Sequence, residues 1–152
     1  MVFLSSASNL VTGNATPVGF QVYLRDMCTS APSGCTPATT LIAVAGDSSY
    51  VVTDPSISAD GRYVAFASPA DDLVPGDTNG AQDIFVRDTC AGVSTGCSPS
   101  TVRVSVALDG TQGKSDSVEP MITNDGRFVV FASSAKLGPG NPSNDDVYLA
   151  RQ

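Results

Sequence analysis

Short bursts of apolar residues alternate with polar, turn-rich stretches along the whole chain, and the bursts have the length and period of strands. The pattern is clearest between Ser56 and Val106. Ser56–Ser58 predicts a short first strand. Asp60-Gly61 predicts a hairpin turn, because an Asp-Gly pair accepts the positive φ that tight hairpins need. Arg62–Ser68 predicts a second strand. Its Tyr63, Val64, Ala65, Phe66 and Ala67 are apolar on both faces, so both faces should be covered. Asp71–Ala81, rich in Asp, Pro and Gly, reads as a loop. Asp83–Asp88 predicts a third strand. Thr101–Val106, where valine alternates with Arg103 and Ser105, predicts a fourth strand with one wetter face. No window keeps a 3.6-residue apolar period, so almost no helix is expected.

The pattern recurs. Pro55–Ser68 returns as Pro120–Ser133 at an offset of 65 residues, and Phe66–Ala70 matches Phe3–Ala7 at an offset of 63. Val22–Asp26 returns as Ile84–Asp88 and, in part, as Val147–Leu149. Cys28 and Cys35 are seven apart, as are Cys90 and Cys97. The chain therefore divides into repeat 1 (1–54, lacking a first strand), repeat 2 (55–119, complete) and repeat 3 (120–152, lacking a fourth strand). This predicts an all-β chain of about 2.5 β-propeller-type repeats of ~63 residues, each a four-stranded antiparallel blade. A two-sheet sandwich of roughly ten strands is the alternative, but it has no need of a repeated unit.

Pro55–Phe66 and Pro120–Phe131 resemble the WD40-like propeller repeats of TolB-type proteins, whose motif runs Pro-x-aromatic/aliphatic-Ser-Pro-Asp-Gly-x-x-aliphatic-Ala-Phe. Ala59 and Asn124 depart from it, standing where that family usually has proline. The repeat is also longer than the usual ~40–45 residues. The resemblance implies a propeller-type fold and, by itself, no particular function. It also has the chain entering a blade at its second strand (Val2–Ser5) and ending after a third (Asp146–Ala150). Propellers close with ~4–8 blades, and open sheet edges invite association. The expected partner is therefore a second copy, a homodimer closing a propeller ring.

Composition narrows the chemistry. The 152 residues carry a net charge of −7, which disfavours nucleic acid as a partner. The absence of histidine removes Ser-His-Asp and Cys-His triads and every His-ligated metal site. No apolar run approaches the ~20 residues of a membrane-spanning helix, so no membrane insertion is expected.

Four groups of residues are candidates. Cys28/Cys35 and Cys90/Cys97 each flank a hairpin between third and fourth strands, which predicts two local disulfides and an oxidising compartment. A zinc site from all four cysteines is the rival, and it would require two loops of different blades to meet. Asp77, Asn79 and Asp83 are oxygen-bearing side chains around Gly80 and suggest a short calcium loop. An Asx-rich turn bonding its own backbone is the preferred reading of them. The matching segments Asn14–Gln21 and Asn141–Asp146 keep fewer carboxylates. Asp60 and Asp125 read as turn residues. Arg25-Asp26 and Arg87-Asp88 read as fold-related charges in blade-to-blade ion pairs, with ligand binding as the alternative. Glu119, the only glutamate, could in principle join an aspartate in a glycosidase carboxylate pair, but nothing singles out its partner. Asn14-Ala15-Thr16 fits the glycosylation pattern, with Pro17 after it.

The expected role is a non-catalytic binding or scaffolding module of an exported bacterial protein, secreted or periplasmic, engaging a protein or glycan and needing no cofactor unless calcium. The alternative is a propeller fragment of a glycosidase, or the gating propeller of a peptidase. Met1–Leu4 begins a strand and lacks the basic region of a signal peptide, so an export signal is expected to lie outside this sequence.

Overall fold

A computed structural model describes residues 1–11, 19–29, 33–42, 52–139 and 146–152. Among these residues there is no helix, and ten strands make three antiparallel sheets. The first sheet is β1 (Val2–Ser5), β2 (Gln21–Asp26) and β3 (Ala38–Leu41) in sequence order. The second is β4 (Thr53–Ile57), β5 (Tyr63–Ser68), β6 (Asp83–Asp88) and β7 (Ser100–Arg103). The third is β8 (Ser117–Ile122), β9 (Phe128–Ser133) and β10 (Asp146–Arg151). Each is a meander of neighbours, the arrangement that short connections favour.

The middle sheet lies between the other two, so the chain has two apolar layers rather than the single layer of a sandwich. Val64, Phe66 and Phe85 point one way and pack with Val22, Ile42 and Val52. Ala65, Ala67, Ile84 and Val86 point the other way and pack with Ile122, Val129, Phe131 and Leu137. The period-2 alternation of side chains sends successive residues of β5 and β6 into different layers. That is why both strands are apolar throughout, as expected for a sheet covered on both faces. β9 carries the same motif, yet its Val129 and Phe131 are buried and its Val130 is exposed, because no sheet of the described chain lies beyond it.

The repeats share equivalent contacts. Phe3–Tyr23, Phe66–Phe85 and Phe131–Tyr148 stack at 5.7, 5.8 and 5.8 Å between ring centroids. After each second strand, the hydroxyl of Ser5, Ser68 or Ser133 accepts the N–H of Ala7, Ala70 or Ala135. The two junctions between sheets also correspond. Val52 N–H donates to Phe20 C=O at 3.3 Å, and at the equivalent place Ser117 N–H donates to Gln82 C=O at 2.7 Å.

Strand limits differ in detail from the sequence reading. β4 and β8 begin at Thr53 and Ser117, so they straddle the expected repeat boundaries at Pro55 and Pro120, and β4 starts before the Ser56 expected for the first strand. Both are sheet edges, where proline's missing N–H costs no ladder bond. The residue before each proline, Asp54 or Glu119, takes a positive φ (52° and 56°), and the register shifts there in both strands. β7 stops at Arg103. Beyond it, the Ser105 hydroxyl accepts the Ile84 N–H that would otherwise continue the ladder.

Candidate functional site

The loop between β5 and β6 brings its three candidate residues together. Asp83 begins β6 and is 1% exposed, and Asp77 is 8% exposed. The Asn79 amide donates to Asp83 Oδ2 at 2.7 Å and to the Gly113 carbonyl at 3.0 Å, while its oxygen accepts the Ala81 N–H. That last bond is the local Asx turn. At their centre lies Arg103, from β7. Its guanidinium is 2.8 Å from Asp77 Oδ1 and 3.2 Å from Asp83 Oδ2. Ser105 donates to the remaining Asp83 oxygen at 2.5 Å.

Two of the three side chains that suggested calcium, Asp77 and Asp83, thus contact a cation the chain supplies itself. Burial pushes the Asp77 carboxyl above the ordinary carboxylate range, and the positive charge of Arg103 pulls against that. Residues 14–18 and 141–145 of the matching segments, and with them the Asn14 glycosylation pattern, lie outside the described residues.

Arg103 and Ser105 are the residues that motif reading missed as site members. A signal for them exists between repeats. Opposite Tyr23, in the first sheet, Leu41 takes the place that Arg103 has opposite Phe85. Gln21 there replaces Asp83. Acid goes with arginine, and amide with leucine.

The cysteines form two local disulfides, Cys28–Cys35 and Cys90–Cys97, each with its Cα atoms 5.8 Å apart, and not a four-cysteine cluster. Each loop is set by the aspartate that ends the preceding strand. Asp26 accepts the Cys28 N–H, and Asp88 accepts the Cys90 N–H, both at 2.8 Å. The first cysteine of each pair adopts a positive φ. Asp88 also receives Arg62 Nε at 3.0 Å and Nη2 at 2.8 Å, a two-pronged pair that lowers its pKa below the ordinary value.

This pair lies within one sheet, so the blade-to-blade reading of Arg87-Asp88 is corrected. Arg25 and Arg87 likewise bond Thr39 and Thr101 on their neighbouring strands. A strand-end arginine reaches the adjacent strand more readily than the adjacent sheet, since strands lie ~4.8 Å apart and sheets ~10 Å.

Asp60 and Asp125 are turn residues in two identical networks. Each carboxylate accepts a hydroxyl two residues before it, Ser58 or Thr123, and the N–H two residues after it, Arg62 or Arg127. The hydroxyl bond is the main reason both carboxyls are lowered in pKa. Glu119 is exposed on β8, and Asp54 occupies the equivalent place on β4. No family model and no curated protein matches the chain.

Proposed function

We propose that the chain is a stack of propeller-type blades that serves as a binding and scaffolding module of an exported protein, and that it assembles through its end faces. One observation carries this reading. Each sheet-to-sheet junction carries the same backbone hydrogen bond, Val52 to Phe20 and Ser117 to Gln82, which supports reading the sheets as a repeated series. Such a series ends in a face shaped for a further sheet. On the third sheet that face carries Met121, Val130, Val147 and Leu149, which are 70, 36, 75 and 65% exposed. At the corresponding places of the middle sheet, Ala65, Ile84 and Val86 are wholly buried. A contiguous exposed apolar face of this kind marks an interaction surface.

A second copy fits the repeat best. Because the described residues of each chain hold three separate sheets, two copies bring six, which is within the ~4–8 blades of closed propellers. The two disulfides fit an oxidising, extracellular environment. The protein or glycan partner would meet the loop ends of the blades, as binding residues on rigid scaffolds generally do.

Sedimentation at micromolar concentration tests the proposal. The expected species has twice the 15.5 kDa chain mass and an apolar interface of roughly 2,000 Å² or more. Val147→Lys with Leu149→Lys should return it to a monomer. A stable, folded wild-type monomer would overturn the assembly.

A further inference from the structure

We propose that Asn79 is a modification site: its side-chain amide is lost by ring closure onto the Gly80 nitrogen, and the carboxylate that results frees the tip of the β5–β6 loop from the segment joining the middle and third sheets. The inference rests on contacts within the described chain and is independent of the proposed assembly.

Asn79 is the only asparagine of the sequence that is followed by glycine. Asparagine is thermolabile, and a glycine after it leaves the attacking nitrogen unshielded and its backbone free to turn. Gly80 is exposed, with open space where a Cβ would stand. In the reaction the Gly80 nitrogen gives up its proton and bonds Asn79 Cγ. The Cγ–Nδ2 bond breaks and ammonia leaves. Water, the only co-reactant, then opens the cyclic imide at either carbonyl. The product is aspartate, or isoaspartate with its main chain running through Cβ.

The closed loop opposes this step. Asn79 Nδ2 donates to Asp83 Oδ2 at 2.7 Å and to the Gly113 carbonyl at 3.0 Å, and Asn79 Oδ1 accepts the Ala81 N–H at 3.0 Å. Swinging Cγ onto the Gly80 nitrogen breaks these bonds, so the reaction waits for the loop to open. A loop that has reacted cannot close as before. The new carboxylate has an oxygen where the amide had its donor, and it faces the Asp83 carboxylate and the Gly113 carbonyl with no proton to give either. Isoaspartate also lengthens the main chain between residues 79 and 80, which spoils the Asx turn to Ala81.

What opens is equally defined. Thr78 N–H donates to Gln112 at 3.3 Å, and Gln112 donates back to the Thr78 hydroxyl at 2.6 Å. Gln82 N–H donates to Asp116 at 2.8 Å. These bonds tie residues 78–82 to the connection between β7 and β8. Conversion of Asn79 is thus a one-way record that the loop has opened.

The test incubates the full chain, folded and denatured, at mildly alkaline pH and follows each asparagine by peptide mass mapping, with enzymatic methylation to reveal isoaspartate. In the denatured chain Asn79 should convert first. In the folded chain it should convert about tenfold or more slowly, and Arg103→Gln should recover most of that difference. Should this variant lose its strand signature by circular dichroism, Gln112→Ala takes its place, with the same expectation. Asn79→Asp should speed hydrogen exchange at the Thr78 and Ala81 amides by about tenfold while leaving the β9 amides unchanged. Equal rates in folded and denatured chains overturn the proposal, as does an Asn79 that stays unconverted when denatured. Exchange unchanged by Asn79→Asp, or raised equally at β9, overturns the release of the loop.

Discussion

Replacing Arg103 by glutamine should be among the most damaging single changes to this fold. The guanidinium is within 2.8 and 3.2 Å of two carboxylates whose side chains are 3 and 1% exposed. Glutamine keeps much of the length and removes the charge, leaving Asp77 and Asp83 facing each other with too little water to solvate them. Stripping one partner from a buried ion pair costs ~3–5 kcal/mol. For a domain of this size, each kcal/mol moves Tm by ~2–4 °C, so a fall of roughly 6–20 °C is expected by calorimetry at pH 7.

The loss should depend on pH, with a definite sign. The Asp77 carboxyl is already raised by burial, and Arg103 is a lowering influence on it. Taking that influence away raises it further. A carboxyl with a raised folded-state pKa holds its proton more tightly folded than unfolded, so its contribution to stability is lost as pH rises through the folded value. The deficit of the variant should be full at neutral pH and shrink on acidification toward the ordinary carboxylate range. Asp77→Asn in the same background should recover part of the loss at pH 7. Millimolar calcium should leave the wild-type Tm unchanged and raise that of Arg103→Gln, which frees the carboxylates for an external cation. A fall below about 3 °C, or an equal deficit at all pH values, would refute the assignment of Arg103 as the cation of this cluster.

Gly126→Ala should destabilise more than Gly61→Ala in urea unfolding. Both glycines have positive φ (71° and 76°) and share a backbone penalty of ~1–2 kcal/mol, but a Cβ at Gly126 would also run into the Tyr63 ring, whereas Gly61 faces open space. Asp88→Asn should cost no more than about 1 kcal/mol, since Arg62 and Asp88 are 31 and 17% exposed. Because the folded Asp88 carboxyl is lowered, its contribution is present above the ordinary carboxylate value and lost as pH falls through the folded one, so the variant should show a flatter acid limb. Thiol titration of the denatured, unreduced protein should find no free cysteine, with peptide mapping giving 28–35 and 90–97; crossed pairs would refute the local hairpins.

Much of this architecture was legible because its signals are local. Asp60-Gly61 and Asp125-Gly126 announce their hairpins, since the carboxylate closes the turn on a neighbour two residues away on either side. The cysteines announce their pairs, because a loop with seven-residue spacing between adjacent strands leaves them little else to meet. The site around Asp77 was half legible. Its acids lie close together in sequence, but their counter-charge arrives from β7, 20 residues beyond Asp83. Seen as acids alone they suggest a metal ion; with Arg103 among them they form an internal ion cluster.

By itself, the sequence determined the repeat, the strand order within each repeat, the turns and the cysteine pairing, all of which depend on neighbours along the chain or across one ladder. Only the tertiary structure decided which strands are covered. β5 and β9 share one motif, yet β5 is buried on both faces and β9 on one, because burial depends on whether a sheet lies beyond and not on the residues of the strand. It also decided that the ten strands of the described residues fall into three sheets with two apolar layers rather than a two-sheet sandwich. Side-chain alternation says only that a strand has two faces. What each face meets is set by the stacking of sheets ~10 Å apart, a distance over which residues far apart in the chain become neighbours.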